Sequence, residues 1–403
     1  MDLCASTPAS PERRYPADSG ATLQDGAEAR SYLPARDGLD DLSRNVFGIL
    51  GMPLDALDLA ALVEQIDGAV AARRRFFLST ANVNFLLTSR VDQQFRESLL
   101  LSDGCTVDGQ PMVWIARLMG MPLFQRASGS DLFDALRSRQ RLDRLKVFLF
   151  GGAEGVAETL STSINAEDGG LACVGALNPG FGAISEISAD PIIDRINASG
   201  ADFLTVFLSA RKAQAFLLQN CDRLDVPVRA QLGTTINFQA GIVRRAPKVI
   251  QRMGFEWLWR VKEEPHLWRR YFSDGRGLFY LVLTSVLPLS AYRLLRSCLR
   301  RDQREPLIIG PTRTLDGIRL KLAGAATSTH INTAIAEFRA ALGVETDIVI
   351  DLSRTTTIDA RFFGLLLMVR KQLLGKGRRL FFAGVTPRGR RLFRMNGFGF
   401  LLD

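Results

Sequence analysis

Between residues 76 and 231 the chain repeats one unit, an apolar run of strand length followed by a segment of helix length. The runs fall at 76–78, 105–107, 145–150, 171–174, 203–208 and 226–231. Apolar strands separated by helices predict an α/β fold: a Rossmann-like, mostly parallel sheet with helices on both faces. An amphipathic stretch at 57–72 opens the pattern. Residues 1–44 carry Pro, Ser, Ala and mixed charge without an apolar run, so they read as a flexible leader with no secretory signal core. At 403 residues the chain is too long for one hydrophobic core.

After 250 the character changes. Gly254-Phe-Glu-Trp-Leu-Trp-Arg260 and Glu264-Pro-His-Leu-Trp-Arg-Arg-Tyr271 are aromatic and basic, and an apolar segment follows at 278–292 between Arg276 and Arg293. Fifteen residues interrupted by Thr284, Ser285 and Pro288 fall short of the ~20 that a spanning helix needs. Two readings remain: a monotopic or re-entrant membrane contact, or a helix buried against the sheet. Trp257, Trp259 and Trp268 beside Arg296, Arg300, Arg301 and Arg304 favour the headgroup layer of an anionic membrane. The net charge of +9 is unevenly spread, −4 over 1–259, +6 over 260–304 and +7 over 305–403. That gradient points to a local anionic surface. Without a recognition motif the basic balance does not indicate nucleic acid. Five scattered cysteines, no Cys-x-x-Cys pair and only two histidines, His266 and His330, predict no metal site and suit a reducing, cytoplasmic compartment.

A second, smaller α/β pattern begins at 306, with strands at 317–322, 348–352 and 379–382 and helices at 330–342 and 362–374. The expected division is therefore a leader 1–44, a sheet domain 45–253, a basic aromatic helical appendage 254–304 for membrane contact, and a small domain 305–403.

Candidate chemistry gathers at strand ends. Asp108 follows the strand 105–107, and Thr80-Ala-Asn82-Val-Asn84 ends another, so hydroxyl, amide and carboxylate can converge on one crevice. There a carboxylate can act as a general base, although a plain turn aspartate has the same local sequence. Gly151-Gly152-x-x-Gly155 after a strand can present N–H groups to phosphate, or be a turn with no ligand. Ser130 can cap a helix with Asp131 in its first turn, which by itself explains both residues.

Together, Thr80-x-Asn82, Asp108-Gly109, Ser128-Gly129-x-Asp131-Leu132, Phe150-Gly151-Gly152, Asn178-Pro-Gly-Phe-Gly182, Arg245-Ala-Pro247, Glu256-Trp-Leu-Trp-Arg260 and Glu264-Pro265 resemble the WecG/TagA/CpsF family, in its order, over 48–275. The resemblance implies an inverting, metal-independent glycosyltransferase of bacterial surface-polysaccharide synthesis. It would move a sugar from a nucleotide-sugar donor, read as a UDP-sugar, to a polyprenyl-diphosphate-linked saccharide. Asp108 falls on the catalytic base, Thr80 and Asn82 on the active-site pocket, and the arginine-bearing C-terminal segment is expected to close over the site at the inner face of the cytoplasmic membrane. Ser130, Asp131, Gly151, Gly152, Lys212, Gln214, Arg245, Arg260, Arg269 and Arg270 are the expected substrate-binding residues, the arginines and N–H groups stabilising the leaving diphosphate. Each arginine has the plain alternative of a solvated charge.

Two departures bear on this. Where the family shows Gly-x-Pro-Lys-Gln-Glu, this chain has Ser209-Ala-Arg-Lys-Ala-Gln214, and His266 stands where arginine is typical. The altered run motivates an alternative, a non-catalytic scaffold of a polysaccharide-synthesis complex. Residues 306–403 resemble STAS domains through Val349-Ile-Asp-Leu-Ser353, Ile358-Asp-Ala-Arg361 and the strand after Gly377. Where switching members carry a phosphorylatable serine, this chain has Ala360 and Arg361. That predicts constitutive docking on an acidic surface, of another protein or of the transferase domain, with Thr355–Thr357 as nearby hydroxyls; the plain alternative is an arginine solvating an exposed turn.

Overall fold

The computed structural model describes residues 40–122, 126–140, 143–299, 305–314 and 317–402. Most of the leader, together with Arg300, Arg301 and Arg304, lies outside the described residues. From Asp40 on the chain is folded, and Asp41 and Arg44, at the end of the expected leader, are held in buried or nearly buried ion pairs.

An antiparallel hairpin comes first, β1 Val46–Ile49 and β2 Met52–Asp55, which the pattern did not reveal. Every residue of both strands is buried, so there is no alternation to read. Six further strands form one sheet: β3 Phe76–Ala81, β4 Gly104–Val107, β5 Leu145–Gly151, β6 Leu171–Leu177, β7 Phe203–Phe207 and β8 Val228–Gln231. Their order is β4-β3-β8-β7-β5-β6 and every pairing is parallel. Helices cover both faces, packing Leu62, Ile66 and Phe133 in one core and Phe216, Leu217 and Ile196 in another. That cover is why the central strands read as continuous apolar runs. Because β3 lies between β4 and β8, the C-terminal ends of these three strands open onto one crevice.

The segment read as fifteen apolar residues belongs to a continuous 31-residue helix, Trp268–Cys298, long and apolar enough by length and composition to cross a membrane. Pro288 does not end it. The helix widens into a π turn at Val282–Val286 just before the proline, which accommodates a ring that cannot donate to the preceding turn. Leu281, Val286 and Leu289 join a core with Phe85 and Met112, and Ser290 Oγ and Arg293 Nε donate to the Leu118 carbonyl at 3.1 and 3.3 Å. Phe272, Phe279, Tyr280, Leu283, Leu287, Leu294 and Leu295 are exposed. The helix is thus packed against the transferase core along one side and exposes apolar side chains along the other.

The C-terminal unit is a four-stranded sheet, β9 Ile308–Thr314, β10 Gly317–Ala326, β11 Ile348–Ile358 and β12 Leu380–Ala383, in the order β12-β11-β10-β9. Its helix Ala360–Gly375, capped by Asp359, is buried at twelve of sixteen positions because it sits between its own sheet and the β1–β2 hairpin. At Gly364 a Cβ would collide with the Val46 carbonyl oxygen, so only glycine permits this approach. Arg361 is not solvated at an exposed turn: it docks on the transferase hairpin, one of the two surfaces expected, through backbone carbonyls instead of a carboxylate pair. It is 8% exposed, and its guanidinium donates to the carbonyls of Val46 (2.9 Å) and Arg44 (3.2 Å). Thr355 and Thr356 lie in β11, donating to the Leu322 carbonyl and the Glu305 carboxylate.

Candidate active site

A pocket of about 760 Å³ opens at the C-terminal ends of β3, β4 and β8. Its floor comes from the sheet domain. Gln251, Gly254, Glu256, Trp257, Arg260, Arg270, Tyr271, Asp274 and Leu278 complete its wall, so the segment after 250 closes over the strand ends.

Asp108 is fixed by its backbone N–H, which donates to the Ala81 carbonyl at 2.8 Å, and the chain turns away at Gly109 with φ +85°. Burial pushes its carboxyl up to about 6. Arg126 opposes that rise, while the negative charges of Glu256 and Asp131 add to it. A carboxylate poised there holds a proton more readily than an ordinary aspartate and still ionises near neutrality. Thr80 Oγ1 donates to the Gln231 carbonyl at 3.2 Å, tying β3 to β8. Asn82 caps the helix Val83–Val91, its Oδ1 accepting from the Phe85 N–H at 3.1 Å.

Arginines dominate the charge: Arg126, Arg211, Arg245, Arg260 and Arg270 all line the pocket. Arg126 bonds Glu256 (2.5 Å), Gln251 (2.6 Å) and Asp131 (3.2 Å), and Arg245 bonds Asp131 (2.5 Å) and Asp134 (2.7 Å). These pairs strap the closing segment to the helix Gly129–Ser138. Asp131 feels burial most strongly, but Arg126, the Ser128 hydroxyl and Arg245 together hold it below the usual carboxylate range. Arg260 pairs with Glu264 at 3.1 Å and lies 5.3 Å from the Phe238 ring centre. Asp274, raised by burial against the pull of Arg270, also bonds Asn84.

The model of the glycosyl transferase WecG/TagA/CpsF family matches residues 47–291. The chain belongs to that family. It is a glycosyltransferase, and residues 309–403 match the family described as Mlab, STAS domain. A curated relative from Bacillus spizizenii strain W23 is 26% identical over 197 residues, 49% of this chain and 75% of its own length. That protein is named N-acetylglucosaminyldiphosphoundecaprenol N-acetyl-beta-D-mannosaminyltransferase.

In the transferase pocket the expected residues Thr80, Asn82, Asp108, Ser130, Arg245, Arg260 and Arg270 come together, with Asp131 behind them pairing Arg245. Others lie elsewhere. Lys212 donates to the carbonyls of Phe181 (3.2 Å) and Gly182 (2.9 Å), pinning the 178–182 loop. Gln214 is fully buried and donates to Ser79 Oγ at 3.0 Å. Gly151 and Gly152 do not line the pocket. The Gly152 N–H donates to the Phe207 carbonyl, and a Cβ at either position would crowd Leu208 or Ile236, so packing explains both glycines. Arg269 is exposed over the Trp268 ring. Ser128, not Ser130, caps the helix, accepting from the Asp131 N–H at 3.1 Å, while Ser130 shares a hydrogen bond with Thr235. Arg126, Gln231, Tyr271 and Asp274 were not singled out from sequence, since no motif spacing marks them and only the fold brings them to the pocket.

Proposed function

We propose that this transferase moves a sugar from a nucleotide-sugar donor, of the UDP class, onto a polyprenyl-diphosphate-linked saccharide, with inversion and without a metal ion. The observation that carries the reading is a carboxylate pushed up to about 6 at a strand end, facing a pocket lined by five arginines. Asp108 takes the proton from the acceptor hydroxyl as that oxygen attacks the anomeric carbon. The bond from that carbon to the diphosphate breaks, and the leaving nucleoside diphosphate carries its charge into the arginine-lined wall. One displacement at that carbon inverts its configuration. Thr80 and Asn82 set the floor beside the base. Exposed apolar residues of the helix Trp268–Cys298, continuing the wall at Leu278, would rest in the inner leaflet of the cytoplasmic membrane, where a lipid-linked acceptor is presented.

The scaffold reading drew on the altered 209–214 run. Lys212 and Gln214 make their contacts outside the pocket, but Ser209, Ala210 and Arg211 of the same run line it, so the scaffold reading keeps its observation and predicts no transfer with any donor. Mass spectrometry after incubating the full chain with a panel of nucleotide sugars and a prenyl-diphosphate-linked sugar tests the proposal. A product heavier by one sugar residue is expected; release of free sugar alone would refute it.

A further inference from the structure

Three buried side-chain atoms of pocket residues have no hydrogen-bond partner among the described residues: Nε of Arg245, Nε of Arg260 and Oε1 of Gln231. Buried polar atoms are nearly always paired; Arg245 Nε has the Glu256 carboxylate 3.8 Å away, while Arg260 Nε and Gln231 Oε1 stand at the pocket without such a neighbour and are positions a ligand atom can complete. The two nitrogens are donors on cationic side chains and match phosphate oxygens. The amide oxygen is an acceptor and cannot face a diphosphate, which offers only acceptors. It needs a hydroxyl or an N–H.

Gln231 ends β8 and is 5% exposed. Its backbone carbonyl is taken by Thr80 Oγ1, which leaves the side chain free of that duty. Gly233, at φ +52°, leaves room beside it, since a Cβ there would come to 3.0 Å from the carboxamide nitrogen. Strand β3 separates β8 from the Asp108 strand β4, and the register sets Gln231 level with Ser79 and Asp108 level with Asn82, so the two stand roughly 14 Å apart across the floor. In the proposed transfer the acceptor hydroxyl and the anomeric carbon would lie beside Asp108, with the sugar ring reaching toward Gln231. We propose that Gln231 Oε1 accepts a hydrogen bond from a hydroxyl or amide N–H of the transferred sugar and determines which sugar is used. This rests on the nucleotide-sugar reading above.

The test compares wild type with Gln231→Met, which keeps size and loses the acceptor, and Gln231→Glu, which keeps an acceptor. Calorimetry measures Kd for UDP and for a panel of UDP-hexoses and UDP-N-acetylhexosamines, and transfer assays give kcat/KM for each sugar. In Gln231→Met, kcat/KM for the preferred sugar should fall about 10- to 100-fold and discrimination among sugars should collapse, with the UDP Kd unchanged. Gln231→Glu should retain more of the preference than Gln231→Met. An equal loss of UDP affinity would assign the contact to the nucleotide and overturn the proposal, as would unchanged sugar preference. Sugar-dependent binding that needs Gln231 in a protein showing no transfer would overturn the enzymatic reading and uphold this contact.

Discussion

Replacing Lys371 by Met removes an ammonium held between two buried carboxylates where the STAS helix meets the transferase. Lys371 Nζ lies 2.9 Å from Asp41, 3.2 Å from Asp103 and 2.8 Å from the Ser102 carbonyl, with its side chain 1% exposed. Breaking one partner of such a buried group costs about 3–5 kcal/mol, because the remaining charge cannot rehydrate. Asp41 keeps Arg44 at 3.0 Å, so the lower half of that range is expected. Burial is the largest influence on Asp41 and pushes its pKa up, but Lys371 and then Arg44 outweigh it and hold the carboxyl below its ordinary value. A depressed carboxylate pKa contributes stability that is full above the unfolded value and lost as pH falls through the folded one. The variant's deficit should therefore be largest near pH 7 and shrink on acidification, when Asp41 can protonate. Urea unfolding of wild type and variant at pH 7 and at about pH 3, below the ordinary aspartate value, followed by far-UV circular dichroism, measures this. Adding Asp103→Asn to the variant should recover part of the loss. A deficit below about 1 kcal/mol at pH 7, or one that grows toward low pH, would refute the reasoning.

Gly364→Ala forces a Cβ into the Val46 carbonyl and should cost about 1–3 kcal/mol, while Gly375→Ala in the same helix, with open space around it, should be neutral or stabilising in the same unfolding assay. Substituting Phe279, Leu283 and Leu287, which are 65, 50 and 47% exposed, by Ser should leave the fold intact. At roughly 1 kcal/mol each, vesicle flotation should show partitioning onto anionic membranes reduced more than a hundredfold; unchanged flotation would remove the helix from the membrane.

The parallel sheet was legible because its strands are apolar throughout and its helices are not. Asp108, Thr80 and Asn82 were legible because strand ends in such sheets converge. The β1–β2 hairpin was not, since Val46 to Asp55 is covered by the transferase on one side and the STAS helix on the other, erasing any period. Arg361 was only partly legible, for a related reason. A sequence shows its charge at a helix entrance but not the two backbone carbonyls that a distant hairpin brings to it. Lys212 sits in the register of a family run and Gln214 one position past its amide, yet the helix Ala210–Gln219 turns one toward the 178–182 loop and the other into the core. Gln231 carries no motif, and only its missing partner in three dimensions marks it.

The claim that Asp108 is the base of a sugar transfer is tested most directly by the pH dependence of kcat/KM in wild type and Asp108→Asn, with UDP affinity measured alongside. The base must be ionised, and its pKa is raised to about 6, so wild-type kcat/KM should fall as pH drops through 6 and level off above it. Asp108→Asn should lose about 10²- to 10⁴-fold in kcat/KM at pH 7.5, lose the acid limb, and keep its affinity for UDP. A variant that retains wild-type turnover, or the same limb near 6 at reduced rate, would contradict the account.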